Sequence, residues 1–224
     1  MRFADFDAND RGKLYGWLAF VGIFAALNYA ARFSGGNPDR AVLYKWDAVV
    51  LGVVQMGIIL AIVLVIARGR PRDEYLGLRR PSSWKLAAGL SALVLVGVFV
   101  LSGILSPLLQ PGQEQGLVPK HWQPEHAAAF VGNFAVVAVL APIVEEITFR
   151  GLGYRLLEPF GRWTAVLLVG LLFGLAHGLV EALPILAAFG AGLAYLRMRT
   201  GSVYPGMIVH ATFNSLVLIV AVTT

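Results

Sequence analysis

Residues 141–150 have the sequence APIVEEITFR, in which two adjacent glutamates and an arginine interrupt a long run of apolar residues. A charged side chain near the centre of a bilayer costs on the order of 3 kcal/mol or more, so such a residue usually has a function. Glu145, Glu146 and Arg150 are therefore the first candidates for a functional site. From these residues alone, the site could be a proton relay, a metal site or a buried ion pair.

The composition indicates an integral membrane protein. Of the 224 residues, 58% are hydrophobic and only 14% are charged. The mean hydropathy of +0.72 is higher than a soluble domain of this length needs. The net charge of +5 does not indicate nucleic-acid binding, because the cations lie in short clusters between apolar runs. The chain has no cysteine, which excludes disulfides, thiol catalysis and thiolate metal sites.

Seven apolar runs predict an all-α, polytopic bundle of about seven transmembrane helices. The runs cover residues 17–31, 48–67, 86–109, a stretch beginning near 127, 163–180, 183–196 and 203–222. A loop rich in Pro, Gly and Gln at 110–125 separates N-terminal helices at 1–126 from a core at 127–224, formed by the last four helices. Residues 151–162 are expected to continue the fourth helix as an amphipathic segment at the membrane interface.

The distribution of cations predicts the orientation of the chain. Lys and Arg concentrate near the N-terminus and in the second, fourth and sixth loops, which places the N-terminus in the cytosol. The excess of Arg over Lys is typical of a bacterial chain, which would then lie in the inner membrane. A cleaved signal peptide is the alternative for the first run, but the long and acidic leader favours a retained helix.

The two glutamates are predicted to have different roles. Glu146 and Arg150 are four residues apart, so on a helix they share one face and can form an ion pair. Glu145 lies about 100° round the helix and points elsewhere. We therefore assign Glu146 a structural role and Glu145 the role of a general base that takes a proton from water.

Two histidines lie within apolar runs, His177 in the fifth and His210 in the seventh. His210 and Asn214 again share one helical face and offer two donors in one direction, as the stabilisation of an oxyanion requires. Two alternatives remain open from the residues. An intramembrane histidine can simply hydrogen-bond across helices, and buried Glu and His residues can relay protons in a transporter.

Three motifs resemble those of the CAAX prenyl protease and bacteriocin-processing (CPBP, or Abi) family of intramembrane proteases. They are Glu145 and Glu146 followed after three residues by Arg150, Phe173 followed after three by His177, and His210 followed after three by Asn214. The resemblance covers about residues 127–220. It rests on the order of the motifs and their places on successive apolar runs.

The resemblance implies hydrolysis of a peptide bond within the membrane. It assigns polarisation of a water molecule to Glu145 and His177, the oxyanion to His210 and Asn214, the helix geometry to Glu146 and Arg150, and a packing position to Phe173. The implied partners are membrane lipids and a membrane-associated peptide or protein tail, without nucleic acid. The alternatives are a non-catalytic scaffold or immunity factor and a proton-coupled transporter, for which we find no internal repeat.

No cofactor is expected, and zinc is the alternative. Glu145, His177 and His210 could supply nitrogen and oxygen ligands. However, the chain has no His-Glu-x-x-His motif, and three zinc ligands would use the proposed base and oxyanion donors.

The depths of the two water-activating residues conflict if all helices are regular. Glu145 would lie about 27 Å along the fourth helix from outside, whereas His177 would lie about 20 Å up the fifth from the cytosolic side. A tilted fourth helix, a kink at Pro142, a deeper start of the fifth helix, or a fourth helix that continues past Arg150 would bring them together. We expect a water-filled cavity open towards the cytosol, and a wide separation of Glu145 from His177 would contradict the site.

Overall fold

The computed structural model describes residues 8–35, 39, 41–109 and 122–223, and most of them form helices. The helices are α1 (Ala8–Phe33), α2 (Trp46–Ile66), α3 (Arg72–Tyr75), α4 (Trp84–Leu109), α5 (Pro124–Phe160), α6 (Arg162–Ala176), α7 (Leu183–Thr200) and α8 (Tyr204–Thr223). No strand occurs in these described ranges. The prediction of an all-helical polytopic bundle is confirmed.

Each of the seven predicted apolar runs forms a helix, and five of these helices are long and apolar enough to cross a membrane. These five are α1, α2, α4, α5 and α8, whereas α6 has only 15 residues. The outward face of α2 carries exposed side chains such as Leu51, Ile58 and Val65, as expected of a lipid-facing surface. Seven crossings stay a prediction. Residues 1–7 and most of the predicted loop at 110–125 lie outside the described residues, whereas the boundary at 126 lies within them.

Helix α5 is 37 residues long and continues past Arg150 to Phe160. Two π-helical segments interrupt it, at Val136–Leu140 and Glu146–Gly153. The first lies directly before Pro142, which has no N–H to donate and whose ring displaces the preceding turn. Residues 151–160 continue α5, as expected, while their position at the membrane interface stays a prediction. Within this segment, residues such as Leu152 and Leu156 are almost fully buried because neighbouring helices cover them.

Helices α6 and α7 form a close antiparallel pair. Gly170 faces Ala187 and Ala191, whereas Gly174, one turn later, faces Leu183 and Ala187. The contacts thus run in opposite directions along the two helices. Small residues at four-residue spacing allow such close approach of two backbones, as they do between membrane helices in general.

Gly170→Ala is expected to destabilise the protein, because an added Cβ would lie 2.6 Å from the Ala191 nitrogen and 2.7 Å from the Ala187 oxygen. Backbone atoms cannot move aside as a flexible side chain can, so a loss of about 1–3 kcal/mol is expected. Gly57→Ala on α2 is the control, since a Cβ there meets no described atom within 4 Å. Because alanine has the higher helix propensity, the control should be neutral or stabilising. Thermal unfolding in detergent measures both, and equal effects would contradict the close α6–α7 contact.

The loop after α2 meets the turn between α7 and α8 at one end of the bundle. The Ser82 N–H donates to the Thr200 carbonyl at 2.9 Å, and the Val203 N–H donates to the Gly77 carbonyl at 3.0 Å. The second and sixth loops predicted from the sequence therefore lie on the same side. This agrees with the alternation of loops on which the predicted orientation depends.

Candidate active site

Glu145 on α5 and His177 at the end of α6 line the same two cavities. A cavity of about 360 Å³ is also lined by His210 and Asn214 of α8. A second, of about 210 Å³, opens on the other side of Glu145 and His177, towards α1 and α2. The wide separation that would have contradicted the site does not occur, because α5 continues past Arg150 and turns back into α6 at Gly161.

Glu146 and Arg150 form a fully buried ion pair, with Nη1 3.0 Å from Oε1. The Arg150 Nη2 donates to the Gly190 carbonyl of α7 at 3.0 Å, and its guanidinium lies 4.1 Å from the centre of the Phe173 ring. The predicted pairing of Glu146 with Arg150 is present. Its further effect is to join α5 to α6 and α7 at one point.

The second carboxylate oxygen of Glu146 lies against Gly206, in the first turn of α8. A Cβ at Gly206 would collide with Oε2, so only glycine leaves room for the carboxylate there. The N-terminal turn of a helix carries partial positive charge, which favours an ionised carboxylate. Oε2 makes no hydrogen bond to any described side chain or backbone group.

His210 is buried between the two glutamates. Its Nδ1 lies 3.3 Å from the Glu146 Oε1, and its Nε2 lies 3.8 Å from the Glu145 Oε2. The rings of Phe173 and Phe189 pack against the imidazole in T-shaped contacts, at centroid distances of 5.6 and 5.4 Å. An ionised carboxylate paired with arginine can only accept a hydrogen bond, so the His210 Nδ1 donates to Glu146. The Nε2 of the same ring then faces Glu145. The motif spacing had not predicted this contact with Glu146.

His177 is held by its own helix. Its Nδ1 lies 2.7 Å from the Phe173 carbonyl oxygen, which is free because the His177 N–H donates to Gly174 instead. A carbonyl oxygen only accepts, so Nδ1 carries the hydrogen in this contact. In the neutral ring, Nε2 then has a lone pair available to a water molecule.

Asn214 donates one amide hydrogen to the Val137 carbonyl on α5, at 2.9 Å. In the π-helical segment, the Ala141 N–H donates to Val136, and Pro142 has no N–H that could reach Val137. Asn214 therefore satisfies a carbonyl that the irregular helix leaves without a backbone donor. The second amide hydrogen remains for a ligand in the 360 Å³ cavity, which Asn214 lines.

The N-terminal helices contribute to the site although they carry none of the motifs. The Trp17 Nε1 donates to the Thr148 carbonyl at 3.1 Å, and Asn28 donates to the Ala176 carbonyl at 2.7 Å, at the end of α6. Phe20 and Met56 line the smaller cavity. Trp17 and Asn28 both lie in the first apolar run, and a polar group in such a run is the sequence signal that could have predicted these contacts.

The alternative expectation from the sequence is a zinc ion held by Glu145, His177 and His210. Catalytic zinc needs three protein ligands, each at about 2.0–2.2 Å from one point. Among the described residues, no group of three or more His, Cys, Asp and Glu side chains is arranged in that way. Glu145, His177 and His210 share a cavity without forming such a set, so no step proposed below involves a metal.

Residues 127–216 match the model of the family described as "Type II CAAX prenyl endopeptidase Rce1-like". No curated protein and no solved structure matches the chain. The matched region runs from the start of α5 into α8 and contains all three motifs. With the apolar helices, the match supports an integral membrane protein and a protease. Over residues 127–216, this match supports the CAAX prenyl protease family that the three motifs resemble.

Proposed function

We propose that this protein is an intramembrane endopeptidase that hydrolyses a peptide bond of a membrane-associated peptide or protein tail without a metal. The observation that carries the proposal is the cavity of about 360 Å³, which Glu145, His177, His210 and Asn214 line together. These side chains come from three helices. The proposed base, Glu145, and the proposed oxyanion donors, His210 and Asn214, therefore face one space that can hold a substrate carbonyl.

Glu145 and His177 would activate the water. The Glu145 side chain is 20% exposed, so its carboxylate is accessible from the cavity, unlike that of Glu146. The His177 Nε2 accepts a hydrogen bond from the same water, and Glu145 takes its proton. The oxygen then adds to the peptide carbonyl, and Glu145 returns the proton to the leaving amine as the C–N bond breaks.

His210 and Asn214 would stabilise the oxyanion of the tetrahedral intermediate. The remaining Asn214 amide hydrogen is one donor. The second is the His210 Nε2, which donates when the ring carries both hydrogens. Two glutamates flank that ring, and their negative charge lies close enough to balance an imidazolium.

The walls of the cavity favour an apolar substrate segment. Beyond the four polar residues, the lining is mostly aliphatic and aromatic, and includes Leu186, Phe189, Phe213 and Val217. Apolar walls with few polar groups suit a peptide that is held by its side chains and oriented at one carbonyl. A transmembrane end or a lipid-modified tail has this character.

Cleavage in proteoliposomes tests the proposal and its independence of metal. Membrane-anchored peptides with apolar flanks, with and without a prenylated cysteine, serve as substrates. We expect hydrolysis of at least one series and a rate that changes less than about twofold after exhaustive treatment with EDTA and phenanthroline. Loss of activity that zinc restores would contradict the metal-free mechanism, and no cleavage of any series would contradict the function.

Asn214→Ala is expected to reduce kcat about 10²–10³-fold with little change in KM, because the lost donor acts on charge that develops in the transition state. The Val137 carbonyl also loses its donor, which should lower the free energy of unfolding by about 1–3 kcal/mol. Ser215→Ala is the control, since the Ser215 hydroxyl donates only to the Ala211 carbonyl of its own helix. Full activity of Asn214→Ala would contradict the oxyanion assignment.

A further inference from the structure

A third cavity, of about 370 Å³, lies at the C-terminal ends of α5 and α7, next to the loops that follow α2, α5 and α7. Four arginines and two glutamates contribute to its walls, so it is cationic. None of the motif residues lines it. The sequence predicts all three loops on the cytosolic side, and the structure brings them together at one end of the bundle.

Arg197 is the buried charge of this cavity. The residue is only 7% exposed, and its Nε is buried without a hydrogen-bond partner. No ion pair joins Arg197 to any described carboxylate, and its nearest ring contact is Tyr154, 5.6 Å away. Cations that only set membrane topology lie in water, so topology does not explain a buried guanidinium.

The other charges around Arg197 are already engaged. Arg79 donates to the Gly201 carbonyl at 3.0 Å, and Arg162 donates to the Met198 carbonyl at 3.1 Å. Glu158 also lines the cavity, and it lies 3.8 and 3.9 Å from Arg155 and Arg162. Arg197 therefore has no ion pair of its own among the described residues and lies next to further positive charge.

A buried charge without a partner is strongly unfavourable, so an anion in the cavity would stabilise this end of the protein. The buried Tyr154 hydroxyl also has no hydrogen-bond partner among the described residues and lines the same cavity. An arginine fork and a hydroxyl suit the oxygens of a phosphate. Basic pockets between membrane helices at the cytosolic surface bind anionic lipid headgroups by the same chemistry.

We propose that this cavity binds a phosphate group with net negative charge, held by Arg197 and Tyr154 with Arg79 and Arg162 at its sides. The phosphate comes from an anionic lipid headgroup or from a soluble phosphate compound. Bound there, it contacts residues on α5 and α7 and in the loops that flank them. The site is separate from the peptidase site and does not depend on the proposed function.

Thermal unfolding of the delipidated protein in detergent tests this proposal. The probes are dioctanoyl phosphatidylglycerol, dioctanoyl phosphatidylcholine and inorganic pyrophosphate. At a hundredfold excess over Kd, phosphatidylglycerol should raise the Tm by about 5 °C or more. Phosphatidylcholine should not, because its choline cation would lie among arginines. If pyrophosphate also raises the Tm, a soluble phosphate is enough to fill the site. If only phosphatidylglycerol raises the Tm, the site binds the lipid headgroup. No shift with either anion overturns the proposal.

Arg197→Met should abolish the Tm shift and leave the ligand-free Tm unchanged or raised, because a methionine needs no counter-ion. Arg80→Gln is the matched control, since Arg80 is exposed and does not line the cavity. It removes one charge from the loop that also carries Arg79 and should keep the full shift. Arg79→Gln provides a second test at the side of the cavity and should reduce the shift. A full shift in Arg197→Met, or an equal loss in Arg80→Gln, overturns the site.

Discussion

Glu145→Gln is expected to abolish peptide hydrolysis, with a fall in kcat/KM of about 10²–10⁴-fold or more, while the protein stays folded. The amide has the shape of the carboxylate but cannot take a proton from water. Glu145 forms no ion pair with an arginine among the described residues, and its Oε2 lies 3.8 Å from the His210 Nε2. Replacing this partly exposed carboxylate should therefore affect catalysis far more than stability.

Cleavage of the membrane-anchored peptide and the Tm in detergent would be measured together. Glu125→Gln is the control, because Glu125 is exposed at the start of α5 and should leave both quantities unchanged. Unchanged cleavage by Glu145→Gln would contradict the protease function. If vesicles containing the protein take up protons, and Glu145→Gln stops this uptake, the result would instead favour the transporter.

The local part of the site could be predicted from the sequence. The spacing of Glu146 and Arg150 depends only on helical geometry, and the buried ion pair is present at 3.0 Å even though a π-helical segment begins at Glu146. The different surroundings of the two glutamates follow from the same geometry. Glu145 reaches the cavities and Glu146 is fully buried.

The contacts between helices could not be predicted in the same way. Whether Asn214 meets Val137 depends on how α8 packs against α5 and on the carbonyl that Pro142 leaves without a donor. Hydrophobic periodicity reports which residues are apolar, but not at what depth two helices meet. For this reason the predicted depths of Glu145 and His177 conflicted, whereas the longer α5 removes the conflict.

The N-terminal helices show a second limit of the sequence. Trp17 donates to Thr148 from 131 positions away, and its indole leaves space only for glycine at position 153. No motif marks such a contact, because the requirement is one of shape between two distant segments. The division at residue 126 thus separates segments that pack against each other at the site.

Arg150→Met is expected to destabilise the protein by about 3–5 kcal/mol, because it leaves the Glu146 carboxylate buried without its cation. This corresponds to a fall in Tm of about 10 °C, measured by thermal unfolding in detergent. The lost donor to the Gly190 carbonyl adds to the effect. Arg11→Gln is the control, since Arg11 is exposed and should leave the Tm unchanged.

Combining Glu146→Leu with Arg150→Met should restore most of the stability that Arg150→Met alone loses, because two apolar side chains of similar size replace the pair. Peptide hydrolysis should not recover, since the His210 Nδ1 has then lost the Glu146 oxygen that orients its ring. The two measurements thereby separate the structural role of the ion pair from its role in positioning His210. A double variant that is both stable and fully active would show that the pair only supports the fold, and that the packing of Phe173 and Phe189 is enough to orient His210.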